Sequence, residues 1–268
     1  MNTFKSNHLR KVILDMAYTG STVHIGCAFS IVELLAVLYR SHLRFDVAEP
    51  ASPMRDYMVL SKGHGVMAQY ACLYELGVLT EQDIRSYFKD GTRLKGLADA
   101  HVPGVEATAG SLGHGLSVAT GLALAAKLSK SAQTCYALVG DGELNEGTIW
   151  EAALFAAHFK LDNLIVIVDK NGFQAMGSTD DVIALGVIED KFRAFGFDAV
   201  TIDGHDEVAI DAAYTEMKAL RNGKPKAVVA RSVKGKGVSF MEHDNIWHYT
   251  RLTPEVYGNA IAELGYSQ

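Results

Sequence analysis

The 268-residue sequence lacks the features that mark several classes of protein. No apolar run reaches the length of a membrane span, because Gly, Asp or Lys interrupts each stretch every few residues. Residues 1–10 carry charges without an apolar core and a small-residue cleavage site, so we expect no secretory signal. The 25 Lys and Arg are outnumbered by 31 Asp and Glu, and the net charge of −6 argues against a general nucleic-acid surface. The sequence therefore predicts a protein that binds neither membrane nor nucleic acid.

Cysteine is also scarce, since only Cys27, Cys72 and Cys135 occur. They are far apart in the sequence and form neither a C-x-x-C motif nor a Cys/His cluster, so we expect reduced core residues in a cytoplasmic protein. Low-complexity segments, repeats and breaks in composition are missing as well. With 49% hydrophobic residues, the chain is predicted to form a single domain over residues 1–268.

The most informative stretch contains two short apolar runs, Cys135–Val139 and Leu164–Val168, each followed by an abrupt turn. Between them, Thr148–Lys160 has apolar residues at helical spacing, so the unit is predicted to be strand, helix, strand with parallel strands. The carboxyl ends of neighbouring parallel strands lie at one edge of a sheet, and ligands bind at that edge. Asp141 and Asn171 follow the two strands, and we expect them to lie close together although thirty positions separate them.

Asp141 and Asn171 would offer a carboxylate and an amide oxygen to a ligand. Such a hard, oxygen-only pair suits Mg²⁺ or Ca²⁺ rather than zinc, and Mg²⁺ commonly completes its octahedron with phosphate oxygens. The predicted ligand is therefore a Mg²⁺-bound diphosphate. The G-D-G and N-G sequences are each ordinary turn signals, and only their combination with the intervening helix is informative.

Strands and helices alternate in the rest of the chain, which predicts an α/β fold with five or six mainly parallel strands and helices on both faces. A loop without clear periodicity spans residues 90–108, and loops of this length are usually functional or mobile. The other predicted helices cover residues 3–19, 31–40, 66–76, 80–89, 116–127, 183–195 and 207–222, and the other predicted strands cover residues 56–60, 198–202 and 227–231.

Several histidines and glycines fall in turns, where spacing alone leaves their role open. His24 lies between two predicted helices, and this position alone does not predict a functional role for it. His64 follows a strand and precedes a helix, where capping and anion binding are about equally expected. Gly110, Gly113 and Gly115 could admit a phosphate or allow close helix packing, and their spacing is neither a Rossmann nor a P-loop fingerprint.

Five motifs, taken in order, resemble the amino-terminal, thiamine diphosphate-binding domain of transketolase in its split form, in which two shorter chains make up the enzyme. The match runs nearly from end to end. The motifs are S-T-V-H at 21–24, L-S-K-G-H-G at 60–65, G-S-L-G at 110–113, G-D-G at 140–142 with Asn171 about thirty residues later, and V-K-G-K-G-V-S-F-M-E with W-H at 233–248.

The resemblance implies a set of site residues. Mg²⁺, or Ca²⁺ or Mn²⁺ in its place, would be held by Asp141, Asn171 and the backbone carbonyl of Phe173. His24, His64 and His248 would be catalytic, as proton shuttles and hydrogen-bond donors, with His24 at the substrate. Glu146 would lie at a dimer interface between two active sites. The implied cofactor-binding residues are His64, Gly110, Ser111, Leu112, Gly140, Asp141, Gly142, Glu146, Asn171 and His248.

The implied reaction is transfer of a two-carbon ketol unit from a ketose to an aldose, with sugar phosphates as substrates. In the family, a glutamate in a second α/β domain activates the cofactor and the same domain binds its pyrimidine. Residues 232–268 are too few for such a domain, so we expect the partner to be a carboxyl-terminal transketolase subunit, in an α2β2 assembly, and this chain alone to be inactive. A piece of a longer enzyme is the alternative, although residues 265–268 resemble a natural end.

Three departures from the family pattern bear on the substrate. Residues 94–103 read L-K-G-L-A-D-A-H-V-P where the family has Gly-His-Pro, and His101 is out of register as a substitute. Tyr249 and Thr250 follow His248 in place of small residues and proline, and Ala175 replaces a larger aliphatic residue. The first two of these changes lie where the resemblance places the ketose, and they predict a sugar other than the usual pentose phosphate. Two other functions stay open: a subunit of an α-keto acid dehydrogenase or decarboxylase, and a phosphate-binding module without catalysis.

Overall fold

A five-stranded parallel sheet lies at the centre of the computed structural model, which describes residues 4–267. Its strands run in the order β1-β2-β3-β7-β6, and each neighbouring pair is parallel. The strands are β1 (Tyr57–Leu60), β2 (Cys135–Gly140), β3 (Leu164–Lys170), β6 (Asp198–Asp203) and β7 (Lys226–Arg231). A separate antiparallel hairpin joins β4 (Phe173–Gln174) to β5 (Gly177–Ser178).

Helices cover both faces of this sheet because the strands are apolar on both sides. Tyr136 and Leu138 point into one core and Ala137 and Val139 into the other, as the two-residue period of a strand requires. The helices are α1 (Ser6–Thr19), α2 (Ile25–Phe29), α3 (Val32–Val37), α4 (Val66–Glu75), α5 (Glu81–Arg85), α6 (His114–Leu128), α7 (Gly147–His158), α8 (Thr179–Ile183), α9 (Ile188–Ala194), α10 (Glu207–Ala219) and α11 (Pro254–Glu263). Helices α1 to α4, α10 and α11 pack on the first core, and α6, α7 and α9 on the second.

The predicted α/β class, the parallel sheet and the layers on both faces are confirmed. The prediction of one helix over residues 183–195 was wrong, since α8 and α9 are separate. Ala184 has extended backbone angles (φ −60°, ψ 126°), which end α8. The β4–β5 hairpin was not predicted, and the predicted helix over residues 80–89 is shorter, with Phe88 at φ +58° beyond its end.

The carboxyl ends of β1, β2, β3 and β7 lie side by side at one edge of the sheet. Gly140 is paired in register with Asp169, so the turns that follow β2 and β3 begin at the same level. The G-D-G turn and Asn171 are therefore neighbours, as predicted from the parallel arrangement. Between residues 4 and 267, no helix is long and apolar enough to cross a bilayer.

Candidate active site

A cavity of about 350 Å³ opens at this edge of the sheet. Most of the predicted site residues line it, although they come from widely separated parts of the sequence. They are His24, His64, Gly110, Leu112, Gly140, Asp141, Gly142, Asn171, Phe173 and His248. Ser111 and Glu146 are exposed and do not belong to this lining.

Asp141 is a buried carboxylate with 1% of its surface exposed. Its oxygens accept hydrogen bonds from the backbone N–H groups of Gly142 (2.8 Å) and Gly172 (2.6 Å), and none of the ion pairs among residues 4–267 includes it. Burial and the nearby charge of Asp169 raise its pKa to about 7. A carboxylate in this condition is suited to a cation, which would replace its proton.

A second buried carboxylate, Asp169 at the end of β3, is paired instead. It forms an ion pair with the buried ammonium of Lys62 (2.5 Å) and accepts hydrogen bonds from Ser30 (2.7 Å) and Ser232. Burial alone would raise the pKa of Asp169, but the charge of Lys62 and these bonds outweigh it and lower the pKa. Asp169 also accepts from the side-chain amide of Asn171 at 2.8 Å, which orients that amide. Its Oδ1 accepts from the N–H of Phe173 at 3.0 Å and keeps a second lone pair.

Glu143 joins the three turns that surround the cavity. Its Oε1 accepts from the hydroxyl of Ser61 and the N–H of Gly113 (2.7 Å), and its Oε2 accepts from the N–H of Gly140 (3.0 Å). These donors belong to the turn after β1, the glycine loop before α6 and the end of β2. Burial raises the pKa of Glu143 in spite of these bonds. The side chain therefore fixes the glycine loop against the sheet edge.

Three imidazoles form a cluster on the opposite wall. The ring centroids of His24, His64 and His248 lie between 5.2 and 5.5 Å apart. Burial, with the charges of Lys62 and Lys234, lowers the pKa of His24 to about 4 and that of His248 to about 3, and the pKa of His64 also lies well below its usual value. All three rings are consequently neutral at pH 7.

Backbone strain and a lysine position two of these rings. His24 precedes α2 with left-handed backbone (φ 71°, ψ 23°), which costs a non-glycine residue about 1 kcal/mol or more. Its N–H donates to the carbonyl of His248 at 3.0 Å, which ties the two segments together. The Lys234 ammonium lies 2.9 Å from Nδ1 of His248 and can only donate to it, so the proton of the neutral ring is on Nε2.

Sequence reasoning missed several residues of the cavity wall. They are Cys27, Lys62, Leu97, Glu143, Gln174 and Met176. Lys62 lies two residues before His64, and Glu143 lies two residues after Asp141. This nearness to recognised motif residues is the signal in the sequence that could have identified them. Nε2 of Gln174 is buried and has no hydrogen-bond partner among the described residues, which leaves a donor for a ligand. His101 is exposed and bonded to Asp99, and Leu97 of the same loop lines the cavity instead.

The fold and the cavity define an α/β domain with its ligand site at the carboxyl edge of a parallel sheet. The family model described as transketolase, thiamine diphosphate binding domain, matches residues 2–267. The chain therefore belongs to the transketolase family, and the predicted resemblance is confirmed.

Relatives of similar length are named as transketolase subunits. The chain is 42% identical to a subunit of apulose-4-phosphate transketolase from Actinobacillus succinogenes, covering 95% of this chain and 92% of the relative. It is 40% identical to the 6-deoxy-6-sulfo-D-fructose transketolase subunit SqwG of a Clostridium species, covering 97% and 94%. Together with the family model, these matches show a thiamine diphosphate-binding chain of the transketolase family.

Solved transketolases have the same fold over the whole chain. That of Campylobacter jejuni superposes with a TM-score of 0.92 at 30% identity, and that of Leishmania mexicana with 0.89 at 32%. In both cases 98% of this chain is covered. The chain spans only about two fifths of those longer proteins, 42% and 41% respectively.

Proposed function

We propose that the cavity binds thiamine diphosphate through a divalent cation, Mg²⁺ by preference, held by Asp141, Asn171 and the backbone carbonyl of Phe173. The observation that carries this proposal is the buried Asp141 carboxylate, which has backbone donors and no cationic partner among residues 4–267. The amide of Asn171, held by Asp169, adds an oriented oxygen, and all three donors are hard oxygens of the kind that Mg²⁺ or Ca²⁺ prefers.

The other residues of the cavity fit an anionic cofactor as well. Gly110 and Leu112 bring backbone and an apolar side chain to one wall, and Gly140 and Gly142 flank Asp141. Nε2 of Gln174, which has no partner between residues 4 and 267, is a further donor. Ser111 and Glu146 do not line the cavity of this chain. Their contacts with the cofactor remain predictions for the enzyme with cofactor bound or with its partner chains assembled.

The proposed reaction is transfer of a two-carbon ketol unit from a ketose to an aldose. When bound in this cavity, thiamine diphosphate would supply the carbanion chemistry that such a transfer requires, and the residues of the chain would position the substrate and move protons. His24, His64 and His248 are neutral, so each can donate one ring N–H and accept at the other nitrogen. We assign His24 to the sugar, and His64 and His248 to proton transfer and hydrogen bonding beside the cofactor.

The proposed donor is a modified ketose. Two of the relatives are named for apulose 4-phosphate and for 6-deoxy-6-sulfo-D-fructose. In this chain Leu97 and Tyr249 both line the cavity with His24, and the centroid of the Tyr249 ring lies 5.6 Å from that of His24. An apolar side chain and an aromatic ring at the mouth of the cavity favour a sugar whose far end differs from that of an unmodified pentose phosphate.

A carboxyl-terminal subunit with the pyrimidine-binding domain and the activating glutamate is the proposed partner, in an α2β2 assembly. Support comes from relatives of this size that are named as subunits, and from apolar side chains left exposed on α6 and α7: Val118, Leu128, Leu154 and Phe155. Glu146, exposed at the start of α7, would lie in the contact between two copies of this chain. The three cysteines are buried and free, which fits the cytoplasm.

Two measurements test the proposal. Thermal unfolding of the chain with thiamine diphosphate or ATP, each with Mg²⁺, should give a selective rise with thiamine diphosphate, since a ligand that binds only the folded state stabilises it. The chain should be inactive alone and should catalyse ketol transfer when co-purified with its partner subunit. Preference for ATP, or full turnover by the isolated chain, would contradict the corresponding part of the proposal.

A further inference from the structure

Cys27 brings a thiol to the cavity that the proposed reaction does not use. Its Sγ lies 3.6 Å from Nδ1 of His248. A nitrogen of His64 completes a group in which the three ligand atoms all lie within 4.8 Å of one another. Helix α2, the turn after β1 and the turn Asn245–His248 bring these residues together, although the sequence contains no Cys/His cluster.

One thiolate and two imidazoles form a borderline-soft ligand set, unlike the oxygens of Asp141 and Asn171. Zinc binds sulfur at about 2.3 Å and imidazole nitrogen at about 2.0–2.1 Å, so tetrahedral ligands lie roughly 3.5 Å apart. The Cys27–His248 distance already meets this requirement, and the third ligand atom has to move by about 1 Å.

We propose that Cys27, His64 and His248 form a second metal site, for Zn²⁺ or a similar thiophilic divalent cation, and that occupation of this site inhibits the enzyme. The two imidazoles are neutral at pH 7 and therefore need to lose no proton. Burial raises the pKa of the Cys27 thiol, so zinc binding releases a proton and strengthens as the pH rises.

Lys234 opposes this site. Its ammonium donates to Nδ1 of His248 at 2.9 Å and to Oδ1 of Asn245 at 2.6 Å. A metal ion that binds Nδ1 of His248 must replace the hydrogen bond from Lys234 and is repelled by the positive charge of that ammonium. Lys234→Met removes both obstacles, and we expect it to tighten metal binding by about tenfold or more.

The binding test uses Co²⁺ as a spectroscopic probe with the full chain. We expect a thiolate-to-cobalt charge-transfer band in the near ultraviolet, which Zn²⁺ abolishes by displacing the cobalt. Cys27→Ser and Cys27→Ala should lose the band, whereas Cys72→Ser, another buried cysteine outside the cavity, should retain it. Circular dichroism checks that each variant is folded. No band in the wild-type chain, or a band that persists in both Cys27 variants, would overturn the proposal.

The inhibition test rests on the proposed function and uses the complex with the partner subunit. Micromolar Zn²⁺ should reduce ketol transfer, a chelator should restore it, and Cys27→Ser should make the enzyme at least tenfold less sensitive. Activity that zinc leaves unchanged would remove the inhibitory role. A sulfur-ligated cobalt band in a complex without ketol transfer would instead reject the proposed function and leave the metal site standing.

Discussion

Asp141→Asn should stabilise the cofactor-free chain at alkaline pH while it abolishes metal-dependent cofactor binding. Because the folded-state pKa of Asp141 is raised from 3.8 to about 7, the wild type loses stability as the pH rises through that interval. This rise in the pKa of Asp141 corresponds to a loss of about 4 kcal/mol in the free energy of unfolding. The uncharged Asn side chain relieves this cost. Its NH₂ group cannot accept a hydrogen bond, however, so one of the two backbone N–H groups loses its acceptor, which destabilises the folded state by about 1–3 kcal/mol. The net expectation at pH 8 is a gain of about 1–3 kcal/mol.

Thermal unfolding between pH 5 and pH 8.5 measures this gain. At pH 5 Asp141 is protonated and uncharged in the folded wild type, so the advantage of the variant should vanish or reverse there. At pH 8 the melting temperature should rise by a few degrees. Added Mg²⁺ and thiamine diphosphate should stabilise the wild type and leave Asp141→Asn unchanged. A difference that does not depend on pH, or a cofactor response that the variant retains, would refute the reasoning.

Asp169→Asn is the matched control, since it is the other buried aspartate at this edge. It pairs with Lys62, so the substitution leaves a buried ammonium without its partner. We expect destabilisation by about 3–5 kcal/mol throughout the same pH range. The two aspartates should therefore respond with opposite sign at pH 8.

Three further predictions concern other walls of the cavity. Glu143→Ala should lower the free energy of unfolding by at least about 2 kcal/mol in thermal melts, because all three of its bound donors lose their acceptor. Exposed Glu146→Ala in the isolated chain should change it by less than about 0.5 kcal/mol. His24→Ala should reduce turnover of the complex by about 10²-fold with little change in cofactor affinity, whereas His64→Ala should reduce both turnover and cofactor affinity. Steady-state kinetics and cofactor titration measure the two quantities. Leu97→His should raise kcat/KM for xylulose 5-phosphate relative to a modified ketose by roughly tenfold, and an unchanged ratio would exclude this residue from substrate selection.

The fold and the proximity of Asp141 to Asn171 could be predicted from the sequence because they follow from strand order and direction. Two apolar runs with a helix between them can form only a limited set of arrangements, and the parallel one brings Asp141 and Asn171 to one edge. Local breaks were harder to predict. The apolar periodicity continues through residues 183–195, but the extended backbone at Ala184 interrupts the helix there.

The side-chain partnerships inside the cavity were not predictable by the same means. Lys62 and Asp169 are 107 positions apart, and their pairing depends on the directions in which two strand ends point their side chains. The cluster of Cys27, His64 and His248 joins three elements whose contacts no sequence period describes. The spacing of residues in the sequence shows where a residue lies along a helix or strand. Which side chains contact each other depends on how one helix or strand packs against another.

The cavity concentrates features that oppose folding of the cofactor-free chain. The buried carboxyl of Asp141 has a pKa raised to about 7, His24 has left-handed backbone, and the buried Lys234 has a pKa lowered mainly by burial. The apolar cores on both faces of the sheet offset these costs, so the folded chain can hold the buried Asp141 carboxylate at the edge of the sheet. A ligand that brings a divalent cation and a diphosphate would satisfy Asp141 and the open donor of Gln174 together. Cofactor binding and the stability of the chain should therefore be linked most strongly at Asp141.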